Sequence, residues 1–254
     1  MEFFTRHINL LTELIKSDLK SKYKNTILGF LWILFEPLFM MIILYIVFNK
    51  FIRFQMDNYP MYILSGVILW RFFINTTSQS IFIFYRNREM ILKVRIPRLL
   101  LPFSIVLSNL VITFFEYIVY FILFLLAGMH LSWTMLFFLP YLLLFAFFTA
   151  GVSLLLALIY PFFKDVKPGW EIFSQALFFL CPIFYPFEIV PYKFIHVYLL
   201  NPVAVFILGV HEMLYAGVIT DSTIILNSVF FSVIVFIVSV LVFLMNEEKM
   251  VKSI

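Results

Sequence analysis

Within the apolar run from Pro60 to Phe84, Arg71, Asn75, Ser78 and Gln79 stand at i, i+4, i+7 and i+8, which places one cation and three hydrogen-bonding groups on one stripe of a helix. Such a stripe faces either a neighbouring helix, to which it hydrogen-bonds, or a water-filled path for a polar solute; it does not face lipid. A cation in mid-span needs a counter-charge, because burying it alone costs at least about 2.5 kcal/mol. Glu36, Glu116 and Glu171 are the acids that interrupt apolar runs. At about 1.5 Å per residue, Glu36 lies about 12 Å from the inner end of its run and Arg71 about 14 Å, while Glu116 falls nearer the outer face and Glu171 at the inner boundary. The matching depths predict a Glu36–Arg71 ion pair, and the scatter of the acids argues against a proton relay. Trp70, beside Arg71, has an indole N–H that needs a partner and a flat ring that either packs in a core or stacks on the apolar face of a sugar.

Enzyme chemistry finds no such support. His7, His130, His196 and His211 form no H-x-x-x-H or H-E-x-x-H pair, and no acidic cluster of the D-D-x-x-D kind offers a metal site for glycosyl or phosphoryl transfer, so no bound metal is expected. No Gly is followed by Lys, which excludes the phosphate-binding G-x-x-x-x-G-K-[ST] loop. Any ATP must be hydrolysed by another chain. Cys181 is the single cysteine, so no intrachain disulfide forms.

The elements that must position these residues are membrane spans. Of 254 residues, 64% are apolar and only 13% charged, too little polar surface for a water-soluble domain, and a globular cytosolic enzyme is excluded. A bilayer core of about 30 Å takes about 20 apolar residues per helix. Six such runs are read, at Leu28 to Phe51, Pro60 to Phe84, Leu99 to Ala127, Met135 to Phe163, Trp170 to Tyr185 and Thr223 to Met245. Pro186 to Ser222 is also apolar but is broken by Pro191 and Pro202 and reads as re-entrant. The fold class is an all-α integral membrane protein, one transmembrane domain over residues 1–254. A cleaved signal peptide is not expected, since the first apolar run is too long and five more follow.

Phe4, Ile8, Leu11 and Ile15 recur at helical spacing ahead of the first span, which makes residues 1–24 an amphipathic helix on the inner membrane face. Alternate segments between the spans hold fourteen Lys and Arg against three in the opposite set, with Arg71 left inside a span. Positive residues stay inside, so both termini are cytoplasmic, as six crossings require. The net charge of +4 reflects these loops and gives no reason to expect nucleic acid. Lys20, Lys22 and Lys24, with Tyr23, are read as binding the anionic inner leaflet where a charged headgroup enters. Arg86, Arg88, Lys93, Arg95 and Arg98 make the most basic loop.

Four blocks in order resemble the membrane subunits of bacterial ABC exporters for lipid-linked polysaccharides, the O-antigen, teichoic-acid and capsule permeases. They are Lys22 to Trp32 running into Glu36-Pro37-Leu38; Asn87 to Val94 with Pro97-Arg98 and Leu101-Pro102; Lys164-Asp165-Val166 and Trp170 joined to Pro182-Ile183-Phe184-Tyr185-Pro186; and Tyr198 to Pro202. The sequence departs from the family pattern at Glu36, Cys181 and Arg71, where the family often carries Gln, a nearby Ser and an uncharged residue respectively.

The resemblance implies an inner-membrane homodimer served by two separate ATPase subunits, which hold the ATP and Mg, around a channel for a polyprenyl-diphosphate-linked glycan. It implies that residues 86–98 hold the coupling helix that docks on the ATPase, and that Pro182, Tyr185, Pro186, Asn201 and Pro202 belong to a periplasmic gate within or beside 186–222. The polar stripe itself, and not the resemblance, makes Trp70, Arg71, Asn75 and Gln79 the candidate lining of the substrate path. An exporter of the same fold for drugs or small lipids is the nearest alternative.

Overall fold

The computed structural model describes residues 2–23, 29–53, 56–93 and 96–253. All regular structure among them is helical. Helix α1 (Glu2–Tyr23) lies along the first half of the later helix α6. A 3-10 turn at Gly29–Leu31 leads into α2 (Trp32–Tyr45), which loosens into a π-helical turn at Ile46–Phe51. Phe39, Ile42 and Ile43 stay exposed on α2, so most of this helix faces outward from the subunit.

Helix α3 (Tyr59–Ile81) is the axis of the molecule. Pro60 at its start needs no amide partner there and presets the helical φ. Helices α2, α6, α7 (Phe138–Ile159), α8 (Val166–Phe179) and α10 (Pro202–Val210) all pack against it. Because protein surrounds it, α3 tolerates the polar run Asn75 to Ser80 that a lipid-facing helix would not. Two short helices, α4 (Ile83–Arg86) and α5 (Arg88–Lys93), turn the chain into α6 (Leu100–Leu126). After α8 the chain runs through 3-10 turns and α9 (Ile195–Tyr198) into α10, then a π-helical turn His211–Ala216, and ends in α11 (Ser222–Ser253). Close approach of α11 to α7 depends on Gly151, whose added Cβ would lie 3.0 Å from the Val235–Phe236 backbone.

Among the described residues, four helices are long and apolar enough to cross a membrane, Trp32–Phe51, Leu100–Leu126, Trp133–Ile159 and Ser222–Ser253. The chain is thus an all-helical, multi-pass membrane protein. The pair Tyr192–Tyr198 and Pro202–Ala216, bent by 105°, would make a fifth apolar unit. Two expected spans fall short of that measure for different reasons. Helix α3 has the length, about 35 Å, but its polar stripe lowers its hydropathy. Helix α8 stops at Phe179 and is only about 21 Å long, because Pro182 ahead of Tyr185 prevents its continuation.

Candidate functional site

Polar side chains gather at three levels along α3. At mid-length, the Arg71 guanidinium donates through Nη2 to the Glu36 carboxylate of α2, so the predicted pair forms. A second acid joins it: Glu116 Oε1 of α6 lies 3.5 Å from Arg71 Nε, an ion-pair distance without hydrogen-bond geometry. Glu116 stands deeper than residue counting placed it. The first turns of α6 belong to a lower layer, where Leu101 packs with Ile83, Ile91 and Met250, so the helix starts below the level counting assumed. The two acids differ in setting, since the Glu116 side chain is 2% exposed and that of Glu36 51%. Glu36, Trp70, Arg71 and Asn75 share an open cavity of about 450 Å³ with Phe39 and Phe178. Trp70 is buried, its ring 5.5 Å from that of Phe178 and 6.0 Å from that of Phe73, so it packs at the cavity's edge.

At the end that carries the basic residues, a second cluster centres on Asp18 of α1, 6% exposed. Its carboxylate contacts Lys22 Nζ at 2.9 Å and Arg86 Nη2 at 3.3 Å, and accepts from Ser108 Oγ at 2.8 Å. Lys22 also donates to Asn109 Oδ1 at 2.9 Å, and Asn109 Nδ2 donates to Gln79 Oε1 at 3.3 Å. Lys22 is therefore turned inward; burial lowers the pKa of its ammonium and the Asp18 carboxylate opposes that shift. Lys20 remains exposed, Tyr23 closes α1, and Lys24 lies outside the described residues.

The five basic residues of the 86–98 loop separate in the same way. Arg86 is tied to Asp18, and Arg98 Nη1 donates to Glu247 Oε1 of α11 at 2.8 Å. Lys93 pairs with Glu89 on the exposed side of α5, and Arg88 is exposed beside them. Arg95 lies outside the described residues. Leu92, 59% exposed, completes an outward face on α5 whose inner side is anchored by Ile91.

At the opposite end, the segment after α8 is pinned to α3. The Tyr59 hydroxyl donates to the Phe184 carbonyl, and that of Tyr62 meets the carbonyls of Pro182 at 3.1 Å and Tyr185 at 2.8 Å. Asn201 caps α10 by accepting from the amides of Val203 and Ala204 at 3.1 and 3.3 Å, and its own amide donates to the Leu180 carbonyl at 3.3 Å. The Tyr185 and Tyr198 hydroxyls stand 3.1 Å apart. Pro182, Tyr185, Pro186, Asn201 and Pro202 thus come together around this segment, next to an open cavity of about 420 Å³ lined in part by Tyr62, Pro186, Glu188, His211 and Glu212.

A helical membrane chain with a polar stripe on its central helix and an exposed basic short helix leading into a long span has the plan of a transport subunit. The family described as ABC-2 type transporter matches residues 9–215. The chain belongs to that family. Among its relatives, an O-antigen export system permease protein RfbA of Klebsiella pneumoniae is 30% identical over 213 residues, 83% of this chain and 82% of the relative. A protein of the same name from Myxococcus xanthus is 27% identical over 177 residues, 70% of this chain and 68% of that one.

In this ABC-2 chain, sequence reasoning missed Asp18, Asn109, Glu247 and Tyr62. For Asp18 a signal was present: it follows Leu11, Leu14 and Ile15 at the next position of the apolar stripe, where an acid is out of place unless paired. Asn109, Glu247 and Tyr62 stand at unremarkable places in helix patterns, and only the packing of α6, α11 and the post-α8 segment gives them partners.

Proposed function

We propose that this chain is the channel-forming membrane subunit of an ATP-driven exporter that carries a polyprenyl-diphosphate-linked, O-antigen-like polysaccharide from the cytoplasmic to the outer side of the bacterial inner membrane. The observation that carries the reading is the likeness to O-antigen export permeases over more than four fifths of both chains. The chain works as a homodimer with two ATPase subunits, which bind ATP and Mg, and it performs no hydrolysis itself. Six crossings with both termini inside are supported by the imbalance of basic residues, by the four long apolar helices, and by α3, long enough to cross while its polar stripe is hidden in protein. The helix α1 lies on the inner face, α5 presents Arg88, Leu92 and Lys93 to the ATPase, and the broken helices over 186–222 gate the outer mouth.

The cavity bordered by Trp70, Arg71 and Asn75 opens on the same side of the subunit as the exposed face of α2, which supports a position for these groups on the wall between two copies. Gln79 extends the stripe toward the inner face. Exposed Lys20 offers a charge to an anionic headgroup, and Lys22 supports the site from behind. Disrupting the gene in its host is expected to abolish surface polysaccharide while lipid-linked glycan accumulates inside. The purified chain with its ATPase in vesicles is expected to move that glycan on ATP addition. Transport of a hydrophobic drug, with no transport of the glycan, would overturn the reading in favour of a drug or small-lipid exporter.

A further inference from the structure

The Asp18 cluster joins α1 and α6 to the consecutive elements α3 and α4. Asp18 and Lys22 come from α1, Arg86 from the end of α4 immediately ahead of α5, Ser108 and Asn109 from α6, and Gln79 from α3. The contacts are not equal. The two that cross between α1 and α6, Ser108 to Asp18 at 2.8 Å and Lys22 to Asn109 at 2.9 Å, are buried and part-buried, so they hold α1 on α6 firmly. The Asp18–Arg86 contact is longer, 3.3 Å, the Arg86 side chain is 52% exposed, and a cavity of about 230 Å³ bordered by Ser17, Asp18, Asn87 and Ser104 adjoins it. Arg86 therefore has room to move, while Asp18 is held by Lys22 and Ser108. On the far side, Gln79 stands two turns along α3 from Arg71, with Asn75 between them, so the cluster meets the polar stripe at its inner end.

We infer that Asp18 is a positioning residue: it is the fixed hub through which movement of the α4–α5 corner reaches α6 and the polar stripe of α3. A neutral residue here would leave the Lys22 and Arg86 cations side by side with their shared counter-charge removed. The corner would then move without carrying the wall with it. Coupling of this kind requires an element that both sites bias, and the hub supplies one at Arg86, the contact with space beside it.

The inference rests on the reading of this chain as an ATP-driven exporter, and the test separates the two. In the purified complex of the full chain with its ATPase, Asp18→Asn is expected to keep ATP hydrolysis while glycan moved per ATP falls by about fivefold or more. Adding Arg86→Gln to Asp18→Asn is expected to cost nothing further, since both break the same contact. Hydrogen exchange over residues 14–22 is expected to respond to ATP in the wild type and to ignore it in Asp18→Asn. Equal losses of hydrolysis and transport, an unchanged transport-to-hydrolysis ratio, or losses that multiply in the double variant would each overturn the hub. If Asp18→Asn does not assemble, Ser108→Ala removes one donor from Asp18 without altering charge, and it must lower the same ratio for the inference to stand. A wild-type complex in which α1 responds to ATP but no glycan moves would overturn the proposed substrate and leave the hub in place.

Discussion

One cation held by two acids midway along α3 is the clearest residue-scale feature of this chain, and it sets a ranking of substitutions. Arg71→Leu leaves Glu36 and Glu116 facing each other with no counter-charge, and Glu116 is buried. Removing one partner of a buried pair costs about 3–5 kcal/mol. Glu36→Gln leaves Arg71 with Glu116 and affects a half-exposed acid, so its cost is expected to stay within about 1 kcal/mol. The double variant Glu36→Gln with Arg71→Leu does not restore neutrality, because Glu116 is left buried and alone. Only adding Glu116→Gln removes the last charge, and the triple variant is expected to be more stable than the double. Thermal unfolding of the four variants and the wild type in one detergent checks the order. A double variant as stable as the wild type would show that Glu116 takes no part.

The helices themselves were legible to different degrees. Helix α6 and the stretch leading into and through α7 are apolar almost throughout, and their expected bounds match the observed ones within a few residues, whereas α11 starts where expected but runs on from Met245 to Ser253. The interruption between α8 and α11 was marked by Pro191 and Pro202, whose missing amides stop a helix. The early end of α8 was less visible, since Phe179 to Tyr185 is as apolar as a span and only Pro182 tells otherwise. Partners across helices were mostly illegible: spacing reveals that Arg71 and Gln79 share a face, but not that one meets α2 and the other α6. The inward turn of Lys22 could not be read from charge, because a basic cluster looks alike whether it faces lipid headgroups or an unseen aspartate.

At this same scale three positions test the packing and capping of the helices. Gly209 of α10 lies against Tyr141, and an added Cβ would sit 2.6 Å from the Tyr141 Cζ, so Gly209→Ala must push away a ring whose hydroxyl is 2.8 Å from Ser228 Oγ. Gly169 in α8 has nothing within 4 Å of its added Cβ and takes no left-handed φ, so Gly169→Ala is expected to stabilise by about 0.5–1 kcal/mol. Gly209→Ala is expected to lose folded protein, and Asn201→Ala to cost about 1 kcal/mol for its cap alone. Yield and unfolding temperature of the three variants measure these effects, and a stable Gly209→Ala would mean that α10 is not seated on Tyr141.

Viewed across the whole molecule, the basic end is a separate platform, not the frayed ends of spans. Helix α11 has 32 residues, about 48 Å, well beyond a bilayer core of about 30 Å. Its last turns are held in place: Met250 is fully buried with Ile83, Phe84, Leu101 and Phe243, and Glu247 takes Arg98. The 86–98 loop is thus fastened at both ends, to α1 through Arg86 and to α11 through Arg98, and α5 hangs between with Arg88, Glu89, Leu92 and Lys93 outward. This division changes which basic residues meet a partner subunit. Cysteines at 88, 89 and 92, in a background with Cys181 replaced by Ser, are expected to cross-link to the ATPase. One at 98 is expected to fail, because that side chain is turned to α11. Cysteines at 164 and 167, around the start of α8, are the comparison. If they cross-link and those on α5 do not, the ATPase sits under α8, and the fastening of the 86–98 loop serves only to hold the platform together.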